Sequence, residues 1–352
     1  MFINYNEKQK ILSFDDVILQ PLYSDIVSRS EIDTSVYVKE ISQKFNIPII
    51  SSPMSTVTEA YMCNAMSNLG GLGIIHRYNT IDFQSKLLSY VSDFSTRAAA
   101  IGVSGDYKER LEELVKNGLQ IVCLDVAHGH HVLVKDTIAY IKSVYPELFI
   151  IAGNIASEYA YKDLSDWGAN AVRTSVGSGS ICTTRIQTGH GIPTFQALID
   201  CNKARKERQE FDQHAAYIIA DGGIKNSGDI VKCLAAGADF VMLGSMLSGT
   251  KETPGRVTTN DKGRKVKKYN GMASKAAQKD WKGSYSSIEG VASFVPYKGT
   301  TSKVVNEIMS NIRSGMSYSG ARTIAELHKS AIFKIQSSSS HVEGNPHIFN
   351  RK

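Results

Sequence analysis

The sequence predicts an α/β fold, specifically a (β/α)8 TIM barrel, and three observations support this prediction. Eight short apolar runs rich in Ile, Val and Ala recur along the 352 residues. Amphipathic helical patterns separate the runs, and polar or glycine residues follow most of them. Near-continuous apolar strands that alternate with helices are typical of a parallel sheet. Because eight such units close a sheet into a barrel, we expect one barrel domain over residues 1–352.

The predicted strands follow one another in a regular rhythm. They begin at Ile47, Leu72, Ala98, Ile121, Phe149, Ala171, Tyr217 and Phe240. Helical patterns over 107–117 and 131–144 are examples of the connections between strands. The rhythm breaks between the sixth and seventh strands, where a glycine-rich loop at about 177–192 precedes a charged helix over 195–209.

A second break follows the eighth strand, at about residues 250–296. This region is irregular, polar and rich in glycine and lysine. Long irregular segments in compact domains tend to be lids or binding loops, so we expect a mobile active-site flap there. A C-terminal extension follows it.

Composition excludes several classes of protein. The first six residues lack the basic and apolar regions of a signal peptide, and no apolar run approaches the length of a membrane span. A cytoplasmic protein with no membrane partner is therefore expected. The five cysteines are odd in number and lack CxxC spacing, which argues against disulfides and structural zinc. The net charge of +6 is modest, and the basic cluster at 262–268 favours phosphates over nucleic acid as a partner.

Polar residues stand at the ends of the predicted strands, where barrel enzymes place their chemistry. Loops seven and eight are the usual phosphate grip of this fold, and Asp221 before two glycines is placed to accept the hydroxyls of a ribose. A nucleotide is the ligand that this pattern favours. The alternatives are that Asp221 begins an ordinary turn and that Asp125 and His128 merely cap loops.

The loop Gly177–Arg185 combines glycines with one cysteine, two hydroxyls and an arginine. Glycines let backbone N–H groups approach an anion closely. Cys182 is a candidate nucleophile, and Thr184, two residues later, is placed to relay a proton. The alternative is a structural loop with a buried, inert cysteine.

These motifs together resemble the IMP dehydrogenase/GMP reductase family. The resemblance covers nearly the whole chain and is carried by four segments, 177–185, 220–224, 241–246 and 269–272. It implies that Cys182 attacks C2 of a purine while Thr184 and Glu289 handle the proton. The substrate-binding residues that it implies are Ser52, Ser180, Asp221, Gly223, Gly244, Ser245, Tyr269, Gly271 and Met272.

The resemblance also implies a cofactor, a cation and an assembly. A nicotinamide cofactor is expected against Asp125, Ala127, His128 and Asn154. A K⁺ ion is expected on the carbonyls of Gly177, Gly179 and Cys182. The tail residues Glu343, Gly344 and Asn345 resemble an element that completes such a site from a neighbouring subunit, which implies a homotetramer.

Within the family, what the sequence lacks favours the reductase branch. IMP dehydrogenases resemble one another in a flap arginine that activates water, but residues 273–289 contain no arginine. No insertion before Arg97 is large enough for the paired regulatory CBS domains. Segments 28–33 and 152–154 also resemble reductases. The leading prediction is an NADPH-dependent GMP reductase that releases IMP and ammonia.

Two alternatives stay open. One is an IMP dehydrogenase without CBS domains, which would convert IMP, NAD and water to XMP and NADH. Pro53-Met54 and residues 57–59 resemble that branch. The other is a non-catalytic nucleotide-binding homologue. Departures from the family pattern around the purine also leave a modified base open, at Ser55, Ala273, Ser286 and Ile288.

Overall fold

A closed barrel of eight parallel strands forms the centre of the molecule. The computed structural model describes residues 10–283 and 288–346. Three short strands precede the barrel: β1 (Val17–Leu19), β2 (Val36–Val38) and β3 (Gln43–Phe45). The barrel strands are β4 (Ile49–Ser51), β5 (Leu72–Gly73), β6 (Ala98–Ile101), β7 (Ile121–Leu124), β8 (Phe149–Ile155), β9 (Ala171–Thr174), β10 (Tyr217–Asp221) and β11 (Phe240–Leu243). All eight predicted strands are confirmed.

The strands run in the order β5-β4-β11-β10-β9-β8-β7-β6. A parallel bridge between Ile75 and Ala99 joins the two ends of this sheet and closes the barrel. Because side chains alternate along a strand, every second residue fills the interior. Phe45 of β3 packs edge-on against Phe240, with ring centroids 5.6 Å apart, so the β2–β3 hairpin closes the amino-terminal mouth. The carboxyl ends of the strands are left for the site.

Helices cover the outside of the barrel. They are α1 (Ala60–Asn68), α2 (Ile81–Ser89), α3 (Tyr107–Lys116), α4 (Val132–Val144), α5 (Glu158–Asp166), α6 (Thr184–Thr188), α7 (Thr194–Glu210), α8 (Ser227–Ala235), α9 (Lys275–Lys282), α10 (Thr301–Tyr318), α11 (Ile324–Ser330) and α12 (Ser338–Glu343). Side-chain caps fix where several begin: Thr80 accepts from the amide of Phe83, and Asn226 from that of Asp229. The sequence predicted helices over 107–117, 131–144 and 195–209. Both ends of each lie within one residue of the bounds of α3, α4 and α7.

The expectation that residues 250–296 are irregular is wrong for much of this segment. β12 (Thr258–Thr259), β13 (Lys265–Asn270) and β14 (Ala292–Pro296) form an antiparallel sheet, and α9 lies between the last two strands. The pattern of β13 hides this because Lys267, a charged residue, is only 2% exposed. Residues 284–287 of the flap, which include Ser286, lie outside the described residues.

The two ends of the described chain meet on the barrel surface. β15 (Phe333–Ile335) pairs antiparallel with β1, and α12 packs against the 3-10 turn Phe14–Asp16 of the same chain. Residues 90–97 alone join α2 to β6. Within the described residues, no helix has the length and apolar character needed to cross a membrane.

Candidate active site

A cavity of about 360 Å³ opens at the carboxyl ends of the barrel strands. The site residues from the sequence that line it are Ser52, Asp125, Ala127, Asn154, Gly177, Gly179, Ser180, Cys182, Thr184, Asp221, Gly223, Gly244, Ser245, Tyr269, Gly271, Met272 and Glu289. His128 is exposed and does not line the cavity. Glu343, Gly344 and Asn345 do not line the cavity either; they lie at the end of α12 and directly after it.

Cys182 begins a chain of hydrogen bonds that ends on a carboxylate. Its thiol donates to the Thr184 hydroxyl at 3.1 Å, and that hydroxyl donates to Oε2 of Glu289 at 2.8 Å. The backbone fixes this arrangement because the Thr183 amide donates to the Glu289 carbonyl at 2.9 Å. A thiol, a hydroxyl and a carboxylate in series form a path along which a proton can move to or from a bound group.

The other cysteines are unsuited to nucleophilic chemistry. Cys63, Cys123, Cys201 and Cys233 are buried, and burial raises the pKa of each thiol above its usual range. Since the thiolate is the reactive form, these four are inert. Cys182 is half-buried and lies in the cavity wall. The alternative of a buried structural cysteine at this position does not fit.

Three residues of the cavity wall have backbone amides without a hydrogen-bond acceptor among the described residues. The N–H groups of Ser180, Gly223 and Ser245 donate to no acceptor among residues 10–283 and 288–346. Gly223 has φ +74°, which favours glycine, and a Cβ there would lie 3.3 Å from the Ser178 side chain. Unpaired backbone donors that share a cavity wall are able to bind an anion.

Tyr269 adds a side-chain donor to this cradle. A Cβ on Gly244 would lie 3.1 Å from its hydroxyl oxygen, so a larger residue there would crowd the Tyr269 hydroxyl. Burial raises the pKa of Tyr269 to about 12, against the opposing effect of a hydrogen bond with Ser180. The hydroxyl therefore stays protonated at neutral pH and remains able to donate to a phosphate oxygen.

Arg173 organises the floor of the cavity and was missed by the sequence reasoning. It is 5% exposed and donates to Oδ1 of Asp125 and Oδ2 of Asp221, both at 2.8 Å. The Asn154 amide also donates to Oδ2 of Asp221, at 2.9 Å. Burial by itself lowers the pKa of Arg173, but Asp221, Cys123 and Asp125 raise it well above its usual range. The guanidinium thus fixes the two predicted ligand-binding carboxylates relative to each other.

The flap meets the barrel through an aromatic contact. Trp281 of α9 stacks on Tyr78 with ring centroids 4.3 Å apart. The Arg77 guanidinium lies 5.5 Å from the Trp281 ring, and its Nε donates to the Asp125 carbonyl at 3.2 Å. Arg77 and Tyr78 line the cavity beside Asp125. This wall is the one against which a cofactor is expected.

The fold and the site together define a class. The chain is a TIM-barrel protein in which one cavity is lined by a half-buried cysteine, a hydrogen-bonded series from its thiol to a carboxylate, and backbone amides without an acceptor among the described residues. A family model described as "IMP dehydrogenase / GMP reductase domain" matches residues 11–347. The chain therefore belongs to the IMP dehydrogenase/GMP reductase family, as its motifs indicated. Members of this family are oxidoreductases that use a nicotinamide nucleotide.

Relatives from both branches are similar to this chain. Inosine-5'-monophosphate dehydrogenase of Nitrosopumilus maritimus (strain SCM1) is 33% identical, over 96% of this chain and 98% of the relative. The enzyme of that name from Staphylococcus aureus (strain MW2) is 31% identical, over 96% and 95%. Among solved structures, a cysteine-to-alanine variant of GMP reductase from Trypanosoma brucei, in complex with guanosine 5'-monophosphate, superposes with a TM-score of 0.89. It is 28% identical, and the match covers 97% of this chain and 99% of that one.

Proposed function

We propose that the protein is a GMP reductase, which converts GMP, NADPH and a proton to IMP, ammonia and NADP⁺. One observation carries the choice of branch: the relay from Cys182 ends on Glu289, and residues 273–289 contain no arginine to activate water. Reductive deamination needs proton transfer to a leaving amine but no activated water. The GMP in the Trypanosoma brucei structure supports a guanine nucleotide as the substrate.

The relay residues divide the chemistry between them. The thiol of Cys182 first passes its proton through Thr184 to Glu289; the thiolate sulfur then bonds to C2 of the purine, and the bond from C2 to the exocyclic amine breaks. Glu289 and Thr184 deliver the proton with which the amine leaves as ammonia. NADPH, when bound, supplies the hydride that C2 receives. The C2–sulfur bond then breaks, and the thiolate of Cys182 is restored as IMP forms.

The remaining cavity residues bind and orient. Asp221, held by Arg173, accepts the ribose hydroxyls, while the amides of Ser180, Gly223 and Ser245 and the Tyr269 hydroxyl donate to the phosphate. Gly244 leaves space for that group, and Ser52, Gly271 and Met272 line the purine end. In this proposal Asp125, Ala127 and Asn154 contact the nicotinamide cofactor from the cavity wall, and His128, which is exposed, contacts it from outside that wall.

A K⁺ ion and a homotetramer belong to the same proposal. Carbonyl oxygens are the ligands that K⁺ takes in proteins. The Gly179 carbonyl accepts one hydrogen bond, from the Cys182 amide at 3.0 Å, and keeps a lone pair for a cation beside Gly177. Residues 343–345 from a neighbouring subunit would complete the site. We place the enzyme in the cytoplasm.

We also propose that the chain is a single catalytic domain without CBS regulatory domains. Residues 90–97 are the whole connection between α2 and β6. The match to the Nitrosopumilus maritimus protein extends over 473 residues, more than the 352 of this chain. That relative therefore contains a segment that has no counterpart here.

The deciding experiment follows absorbance at the reduced-nicotinamide band. With GMP, NADPH and K⁺ we expect loss of the signal with one ammonia released per turnover, and a slower rate in Na⁺ buffer. Gain of signal with IMP and NAD⁺ would overturn the proposal in favour of the dehydrogenase. The names of the two sequence relatives, at 33% and 31% identity, favour that second candidate. Silence with both pairs would indicate a modified purine or a binding-only protein.

Replacing Thr184 by valine should lower kcat by about 10²–10³-fold with little change in the KM for the nucleotide, because general acid–base relays contribute about that much. Valine keeps the shape of threonine but interrupts the path from Cys182 to Glu289. Steady-state kinetics with GMP and NADPH measure the effect. The matched control is Thr183→Val, since the Thr183 side chain makes no capping hydrogen bond. Equal losses in the two variants would show that Thr184 acts through loop structure alone.

A further inference from the structure

The loop that follows β11, which includes Ser245 and Met246, separates the active-site cavity from a groove on the outer side of the barrel. Ser245 lines the active-site cavity and also a groove of about 1310 Å³ on the outer side of the barrel. α8, α10 and the segment after β1 form the rest of this groove. Whatever holds the loop from the outer side therefore sets the position of the amides on the inner side.

Lys298 holds the loop from the outer side. Its ammonium donates to the carbonyl oxygens of Ser245 at 2.8 Å and Met246 at 3.0 Å. Its backbone amide donates to the Gly249 carbonyl at 2.9 Å, so the residue is tied to the loop at two points. Lys298 lines the outer groove and not the active-site cavity. It therefore does not reach a ligand in that cavity directly.

A second lysine fixes the next part of the same loop. Lys267 of β13 is 2% exposed and donates to the carbonyls of Thr250 at 3.2 Å and Lys251 at 3.4 Å. Within the described part of the chain neither ammonium forms an ion pair, so their positive charge is shared only with carbonyl dipoles. Burial lowers the pKa of Lys298 and of Lys267, the latter against an opposing effect of Glu252. Two positive charges thus stand behind the loop without a carboxylate in contact.

Peptide geometry connects these contacts to the cavity. The carbonyl of Ser245 and the amide of Met246 belong to one trans peptide group, so they point in opposite directions. Lys298 and the Ser248 hydroxyl, which donates to the same oxygen at 2.7 Å, together fix that carbonyl on the outer side, so the Met246 N–H points away from the lysine. Among the described residues this N–H has no acceptor, like that of Ser245. The loop is therefore held with two donors unpaired.

We infer that Lys298 is a positioning residue for the nucleotide phosphate: it fixes the Ser245 and Met246 carbonyls outward so that the amides of this loop stay directed at the phosphate. Lys298 touches neither substrate nor cofactor and acts through the loop and through its charge. This inference rests on the proposed function, because that function supplies the phosphate.

The test compares nucleotide with nucleoside binding by isothermal titration calorimetry. The probes are GMP and guanosine, with IMP and inosine as a second pair. Lys298→Met is expected to weaken nucleotide binding by about 10- to 100-fold, as loss of charge-assisted hydrogen bonds does, and to leave nucleoside binding within about twofold. Lys298→Gln, which keeps a neutral donor on a shorter side chain, is measured alongside and should lose part of the preference. It also keeps the test decisive if the methionine variant folds poorly.

Lys303→Met is the matched control. Lys303 lines the same groove from α10 but is exposed, and its removal deletes the same charge without touching the loop. It should keep the preference for the nucleotide. A wild-type protein that binds neither GMP nor IMP would overturn the proposed function. If the wild type prefers nucleotides and the two Lys298 variants retain that preference, this inference alone is wrong.

Discussion

Replacing Cys182 by alanine should lower kcat by at least about 10⁴-fold, as removal of a covalent nucleophile typically does, while GMP still binds. The sulfur of Cys182 is the one protein atom that forms a bond to C2 of the purine in the proposed reaction. Without the sulfur no covalent intermediate forms, so Thr184 and Glu289 have no departing amine to protonate. Single-turnover kinetics and calorimetry on the same preparation separate the loss of chemistry from any loss of binding.

A conservative second variant makes the test of Cys182 stricter. Cys182→Ser keeps a hydrogen-bond donor to Thr184 at nearly the same size, but a hydroxyl is a much weaker nucleophile than a thiolate. We expect it to be nearly as inactive as the alanine variant and to bind GMP as the wild type does. If either variant turned over at the wild-type rate, Cys182 would not be the nucleophile, and a binding role for the chain would gain support.

The barrel could be predicted from the sequence because its strands are buried on both faces. Runs such as those at Ile121 and Phe149 are apolar throughout, so each stands out from the helices around it. Cys182 and Asp221 could be predicted because Asp221 ends a strand before two glycines and Cys182 lies in a glycine-containing loop after another strand. The relay partner Glu289 is far away in the sequence, and the family resemblance rather than spacing pointed to it.

The sequence did not predict the charged residues that hold the walls of the cavity without belonging to a recognised motif. Arg173 lies in an apolar strand, Lys267 lies in a strand with a polar sequence, and Lys298 lies in the segment that follows β14. Their role depends on which carboxylates or carbonyls the fold brings to them, and those partners are distant in sequence. A charged residue in an otherwise apolar run, such as Arg173 between Val172 and Thr174, is the one signal that could have revealed the first of them.

Replacing Arg173 by methionine should cost about 3–5 kcal/mol of the free energy of unfolding, because it removes the one arginine that pairs with both half-buried carboxylates of the cavity floor. For a chain of this length that corresponds to a fall in Tm of roughly 5 °C. Asp125 and Asp221, with side chains 17% and 15% exposed, would then face each other without an intervening positive charge. Thermal unfolding measures the first effect.

The same variant should also weaken GMP binding by about 10- to 100-fold, the worth of a hydrogen bond to a charged group, because Asp221 loses its orientation. Arg205→Met is the matched control. Arg205 is 8% exposed and donates to Asp239 and Asn202, both at 2.8 Å, but it does not line the cavity. It should lose comparable stability and keep the affinity of the folded protein for GMP. If Arg173→Met unfolded at a lower temperature but bound GMP like the control, the arginine would stabilise the barrel without positioning the ribose carboxylate.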